Sequence, residues 1–230
     1  MDQKKGAFLD IDQTLYNGYL FYEWAKQLES QDVFSVLDIV KMDEPLILYK
    51  IGHYSYIEAA TKVSECIADM LVGKEVDEVI AATQSFTQKI GNKFYEYAKP
   101  LTEKLKDSGF LIVLVTNEPD FLAEMIKDIL GAHDALGLDF TIKRNKFAGP
   151  AINDLATEHA KEAIVRKYAQ DSGIDLNVSL AMGDAESDVE MLKACGKGFL
   201  INTSAKMQKH TEGTNIISIS REEVLSKVFC

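Results

Sequence analysis

The stretch Phe8-Leu9-Asp10-Ile11-Asp12-Gln13-Thr14-Leu15 decides how the rest of the chain is read. A short apolar run, Gly6 to Ile11, gives way to polar residues, as in a buried parallel strand whose end carries the carboxylates. Residues two apart on a strand face the same way, so Asp10 and Asp12 converge. Like charges that close raise each other's pKa unless a cation relieves them, and a hard divalent ion such as Mg²⁺ suits oxygen ligands of this kind. A D-x-D pair also arises by chance in a chain with 18 Asp, so the motif needs company. A calcium loop counted from Asp10 fails, because its sixth position is Leu15 instead of Gly and its twelfth is Phe21 instead of Glu.

Outward from this strand, Phe110–Val115 and Val178–Met182 have the same apolar character, and Gly198–Ile201 and Ile216–Ile219 extend the series. Helical periodicity fills the gaps at 120–130, 159–171, 187–194 and 221–228. Strands alternating with helices imply an α/β fold, a doubly wound parallel sheet. One part does not alternate. From Tyr16 to Tyr97 only helix-period segments occur, notably 54–71 and 75–97, so an all-helical insert is expected after the first strand, with Pro100 marking the return. Residues 135–149 read as an irregular or hairpin excursion.

Chemistry in such sheets collects outside the carboxyl ends of the strands. Three further motifs fall there. Gly183-Asp184-Ala-Glu-Ser-Asp188 places two acids four residues apart on one face of a starting helix, a spacing that ordinary capping also produces. Thr116-Asn117-Glu118-Pro119 offers a hydroxyl and backbone N–H groups at a helix start, an anion site or again a plain cap. Lys161 begins a stripe with Ile164, Val165 and Tyr168, which puts it on the face that should be buried; Lys143 and Lys146 are the competing lysines.

The chain has 230 residues, 47% of them hydrophobic, and 36 acidic against 25 basic side chains give a net charge of −11. That length supports a sizeable core. So negative a surface repels phosphate backbones and anionic lipids, so neither nucleic acid nor membrane is expected as a partner. Cys66, Cys195 and Cys230 are odd in number and widely spaced, the pattern of reduced thiols in a cytoplasmic protein. The polar start, soon followed by Asp10, does not read as a signal peptide, and no apolar run approaches the roughly 20 residues of a membrane helix.

Taken together and in order, the four motifs resemble the signature of the haloacid dehalogenase (HAD) superfamily, D-x-D-x-T, then Thr or Ser, then Lys, then G-D-x-x-x-D. The insert sits where the phosphoserine-phosphatase-like branch carries its cap. The resemblance implies a Rossmann-like core over residues 1–15 plus 100–230 and a helical cap over 16–99. It implies a Mg²⁺-dependent phosphatase of a small phosphorylated metabolite, with Asp10 as the nucleophile that becomes an aspartyl-phosphate and Asp12 as general acid and base. Thr116 and Lys161 would hold the phosphoryl group, Asn117, Thr14 and Tyr19 would contact substrate, and Asp10, Asp12 (through its main-chain carbonyl), Asp184 and Asp188 would serve the metal. A phosphomutase shares all four motifs, and a receiver-like phospho-acceptor or a non-catalytic binding protein is the non-enzyme alternative.

Within that resemblance the insert departs from phosphoserine recognition. Residues 16–99 hold 8 Lys, 13 Asp or Glu and no Arg, a net −5, and 13 of the 21 aromatic residues lie between Tyr16 and Tyr97. A cap arginine for the substrate carboxylate is missing, Tyr19 stands where an acid is expected, and Glu118 where a small residue is commoner. These departures point away from phosphoserine and toward a neutral or cationic leaving group lodged among Tyr and Trp24; helix packing is the competing explanation for the aromatics.

Overall fold

Strand β1 (Lys5–Leu9) is buried from Gly6 onward because apolar side chains leave from both its faces. In the computed structural model, which describes residues 3–229 apart from positions 152, 154, 156, 158, 202 and 203, it lies at the middle of a six-stranded sheet. The other strands are β2 (Phe110–Pro119), β3 (Asp134–Leu138), β6 (Leu180–Gly183), β7 (Lys197–Ile201) and β8 (Ile216–Ile219), in the order β3-β2-β1-β6-β7-β8. Every pairing is parallel, with Leu9 opposite Leu114 on one side and Met182 on the other. The chain winds from β1 toward β3 and then returns to build the other half from β6, so the switch in winding direction falls at β1.

Helices cover both faces: α5 (Ala98–Asp107), α6 (Asp120–Leu130), α7 (Ala160–Ser172), α8 (Val189–Ala194), α9 (Ala205–Gln208) and α10 (Val224–Lys227). Alternate residues of β1 feed two cores, Ala7 and Leu9 with one cluster, Phe8 with Val113, Val165 and Leu200 in the other. Pro100 lies in the first turn of α5, where a missing N–H leaves no helical bond unmade.

Between β1 and α5 stand four helices, α1 (Leu20–Glu29), α2 (Val36–Lys50), α3 (Tyr56–Leu71) and α4 (Val76–Thr87). Capping boxes start two of them, Ser35 with Asp38 and Ser55 with Glu58. The long helical period of 75–97 is cut short: α4 stops at Thr87 and a 3₁₀ turn follows at Gly91–Lys93. The returning chain instead bonds to the loop after β1, with Lys93 O accepting from Asn17 N and Tyr95 N donating to Leu15 O. Long-range pairing has overridden local periodicity there.

The 135–149 excursion resolves into two parts. Asp134–Leu138 is the edge strand β3, and Gly137 permits it, since a Cβ there would come within 2.7 Å of Glu118 O. The hairpin follows, β4 (Phe140–Lys143) and β5 (Lys146–Ala151), antiparallel and turning at Arg144 and Asn145, whose φ values are 53° and 61°. Its tip reaches the insert: Gly73 N donates to Phe147 O, Val76 N to Asn145 O, and Lys146 pairs with Glu75 at 2.9 Å. Cys66 and Cys195 are free thiols, while Cys230 lies outside the described residues. Among the described residues no helix is long and apolar enough to cross a membrane.

Candidate active site

Asp10 leaves the carboxyl end of β1 and is almost fully buried. Its Oδ1 accepts from Lys161 Nζ at 2.6 Å, and the same ammonium donates to Asp188 Oδ1 at 2.7 Å. Lys161 lies in the first turn of α7 and is itself 2% exposed. The free oxygen of Asp188 closes the loop after β6 by accepting from Asp184 N and Ala185 N at 3.0 and 2.9 Å. Gly183 is required there, because a Cβ would sit 2.5 Å from the Asp188 carboxyl.

The next acid faces the insert. Asp12 Oδ1 accepts from Leu20 N, and Glu118 Oε1 from Phe21 N, both at 2.9 Å. These two bonds cap the start of α1, whose own N-cap residue, Tyr19, makes no side-chain cap. The capping therefore ties the insert to the ends of β1 and β2. Arg221 donates to the carbonyl of Gln13 at 2.9 Å and stacks over Tyr95, holding the D-x-D-x-T turn where Gln13 adopts a φ of 56°.

Burial raises Asp10, Asp12, Asp184 and Glu118 alike. Desolvation outweighs the Lys161 charge at Asp10 and pushes it up to about 6. Asp12 rises to about 8, mainly by desolvation and only partly offset by the Leu20 N–H. Asp184 rises to about 9, by desolvation and then by the charges of Asp10 and Asp188. Glu118 is raised well above its usual range by burial and by Asp12. Burial opposes the Lys161 ammonium, but Asp10 and Asp188 overcome it and hold its pKa above the ordinary value. Carboxylate oxygens of Asp10, Asp184 and Asp188 lie within 4.8 Å of one another.

These groups form the floor of a cavity roofed by the insert, with Tyr19, Phe21, Tyr49, Tyr56 and Val63 among its walls. The pattern of the haloacid dehalogenase-like hydrolases matches residues 7–193. The chain belongs to that family. Phosphoserine phosphatase SerB1 of Mycobacterium tuberculosis is 25% identical over 210 residues, 90% of this chain and 68% of that protein. The phosphoserine phosphatase of Methanocaldococcus jannaschii is 25% identical over 197 residues, covering 85% of each. A substrate-bound phosphoserine phosphatase complex shares the fold at a TM-score of 0.69 and 21% identity, over 98% of this chain and 99% of that one. A Bordetella pertussis protein of unknown function reaches 0.78 at 19% identity, over 94% and 99%. This HAD hydrolase sits in the phosphoserine-phosphatase-like branch, and phosphoric monoester hydrolase is its enzyme class.

Of the residues singled out in the sequence, the HAD fold gathers Asp10, Asp12, Tyr19, Thr116, Asn117, Lys161 and Asp184 around one cavity. Thr116 is buried, with its Oγ1 accepting from Glu118 N, and Asn117 Oδ1 is buried with no hydrogen-bond partner. Asp188 lies behind Lys161 and does not line the cavity, and neither does Thr14. The turn at Gln13 sends Gln13 to the cavity wall and Thr14 beneath it, fully buried, with its hydroxyl oxygen lacking a hydrogen-bond partner and outside the substrate space. Trp24 is also displaced from its expected place: it is fully buried, donates to Thr83 Oγ1 at 2.9 Å and packs edge-on against Phe34. Helix packing explains it. Tyr49 and Tyr56 carried no individual signal in the sequence, although both belong to its aromatic excess. Gln13 and Arg221 gave none, since a glutamine within a motif and a distant arginine meet only in the fold.

Proposed function

We propose that this HAD hydrolase cleaves small phosphate monoesters other than phosphoserine through an aspartyl-phosphate on Asp10. The observation that carries this reading is the buried Asp10–Lys161 pair at 2.6 Å, set at the sheet's switch point beside Asp12 and Thr116. In the first half-reaction a carboxylate oxygen of Asp10 bonds to phosphorus as the ester P–O bond breaks, and the leaving oxygen takes a proton from Asp12. A pKa near 8 keeps that proton on Asp12 at neutral pH, whereas Asp10 near 6 stays ionised. In the second, Asp12 accepts a proton from the attacking water and the Asp10–phosphorus bond breaks. Lys161, Thr116 and Asn117 orient the phosphoryl oxygens.

The donor set fits Mg²⁺, since hard carboxylate oxygens cluster there and Lys161 is the one cationic side chain lining the cavity among the described residues. Asp10, Asp184 and the main-chain carbonyl of Asp12 would hold it. Both oxygens of Asp188 are engaged, so Asp188 acts as a buttress for Lys161 and the Asp184 loop. When bound, the ion would offset the charge of the phosphate and of the acids around it. With no second cation along the walls among the described residues, the carboxylate of phosphoserine would enter unpaired, which supports its exclusion.

The test is phosphate release from an aryl phosphate with Mg²⁺ or chelator. Turnover should need Mg²⁺ and fall by at least about 10³-fold in Asp10→Asn. Release that ignores Asp10 would refute the mechanism, and transfer to an added alcohol without free phosphate would indicate a mutase.

A further inference from the structure

Gln13 takes a left-handed backbone, with a φ of 56°, immediately after the acid Asp12. A residue with a Cβ enters that region at a cost, and such conformations persist where neighbours over-determine them. The neighbours here come from distant parts of the chain. Arg221 Nη2 donates to Gln13 O at 2.9 Å and to Gln13 Oε1 at 3.2 Å. The Tyr95 hydroxyl donates to the same Oε1 at 3.4 Å, and the Arg221 guanidinium lies 4.4 Å from the centre of the Tyr95 ring. Tyr95 stacks in turn on Tyr97, whose hydroxyl donates to the next carbonyl, Thr14 O.

A glycine would take this turn freely and need no partner. Glutamine brings the strain, but it also brings an amide oxygen by which the turn can be held. A guanidinium carries donors only, so it accepts just one arrangement of that amide, with the oxygen facing it. The peptide plane joining Asp12 to Gln13 ends at the N–Cα bond whose torsion this grip enforces, so releasing the torsion would turn Asp12 away from its present aim. Neither Arg221 nor Tyr95 lines the cavity, and Arg221 can therefore reach the chemistry only through the turn. We infer that Arg221 is a positioning residue of the phosphatase, which by gripping Gln13 keeps Asp12 aimed to protonate the leaving oxygen. This rests on the phosphatase reading above.

The experiment compares kcat/KM for propyl phosphate, whose alkoxide leaves readily only with a proton, and 4-nitrophenyl phosphate, whose phenolate needs none, using the full chain with Mg²⁺. For both esters kcat/KM covers the first half-reaction, in which Asp12 acts as acid. Arg221→Met should lower it by about 10²-fold for the propyl ester and by less than about fivefold for the nitrophenyl ester, because a misaimed acid costs most where protonation matters most. Beside Gln13→Gly the left-handed turn carries no penalty, so there the same Arg221→Met change should cost the propyl ester less than about fivefold. Equal losses for the two esters, no loss for either, or the full Arg221→Met loss retained beside Gln13→Gly would each overturn the assignment while leaving the phosphatase intact. Should denaturant titration show that Arg221→Met does not fold, Gln13→Leu decides. It keeps Arg221, removes the side-chain acceptor and should lower the propyl-to-nitrophenyl ratio by at least about fivefold; an unchanged ratio would overturn the assignment. If wild type turns over neither ester in an Asp10-dependent way, the phosphatase reading fails and this assignment falls with it.

Discussion

The floor and the roof of the cavity are built on opposite principles. The floor, at the ends of β1, β2 and β6, packs Asp10, Asp12, Glu118, Asp184 and Asp188 around one ammonium, Lys161. Asp10, Asp12, Glu118 and Asp188 are each fixed by a backbone N–H or by Lys161, so little freedom remains to them. The roof, supplied by α1, α2 and α3, is aromatic and aliphatic, with the hydroxyls of Tyr19, Tyr49, Tyr56 and Ser64 as its side-chain polar groups. Reaction chemistry needs preorganised charge, whereas choice among leaving groups needs shape and a few polar contacts. The two regions meet at the start of α1, where Asp12 and Glu118 cap the roof's first helix with carboxylates of the floor.

The contrast is broken most severely at Gly183. Ala at this position drives a methyl into the Asp188 carboxyl, which anchors Lys161, so Gly183→Ala should lower kcat by about 10²-fold. Steady-state kinetics checks this, and near-normal kcat would show that the floor tolerates movement.

Trp24 and Tyr19 separate packing from recognition within the aromatic insert. Trp24→Ala should destabilise the fold by about 3–5 kcal/mol, because it empties a fully buried site and removes the hydrogen bond to Thr83 Oγ1. Tyr19 is 57% exposed, so Tyr19→Ala should change stability by no more than about 0.5 kcal/mol while raising KM. Denaturant titration and kinetics on both variants decide it; similar stability losses in the two would erase the distinction.

The smallest effect concerns the floor's charge. Asp10, Asp12 and Asp184 have native pKa values raised from 3.8 to about 6, 8 and 9. Between pH 4 and 9 the native state therefore holds protons that the unfolded chain has released, so these groups lower stability progressively as pH rises. In chelator, the thermal midpoint should fall from pH 5.5 to 8.5, and Mg²⁺ should restore more of it at the higher pH. A midpoint that rises over this interval in chelator would contradict the assigned shifts.

Lys161 was legible because its neighbours Ile164, Val165 and Tyr168 marked its face as inward, and Asp10 because an apolar strand runs straight into it. β3 was not legible: Asp134–Leu138 is short, contains Gly137, and becomes a strand only because β2 offers an edge. Glu118 stood out in the sequence as a departure from the family pattern, yet its contact with the N-terminus of α1 joins residues 97 positions apart. Motif position alone misplaced Thr14, since the left-handed turn at Gln13 reverses which neighbour faces the cavity.

By itself the sequence determined the alternating α/β order, the helical insert and the four motifs whose residues meet at the cavity. Those follow from local hydrophobic period and from motifs a few residues long, which physical chemistry reads without distant partners. Only the tertiary structure decided which aromatics wall the cavity and which fill the insert's core, where the hairpin docks, and that Glu118 and Asp12 together cap α1. Each of those outcomes depends on long-range contacts that compete with local preference, and a linear pattern carries no record of which one wins.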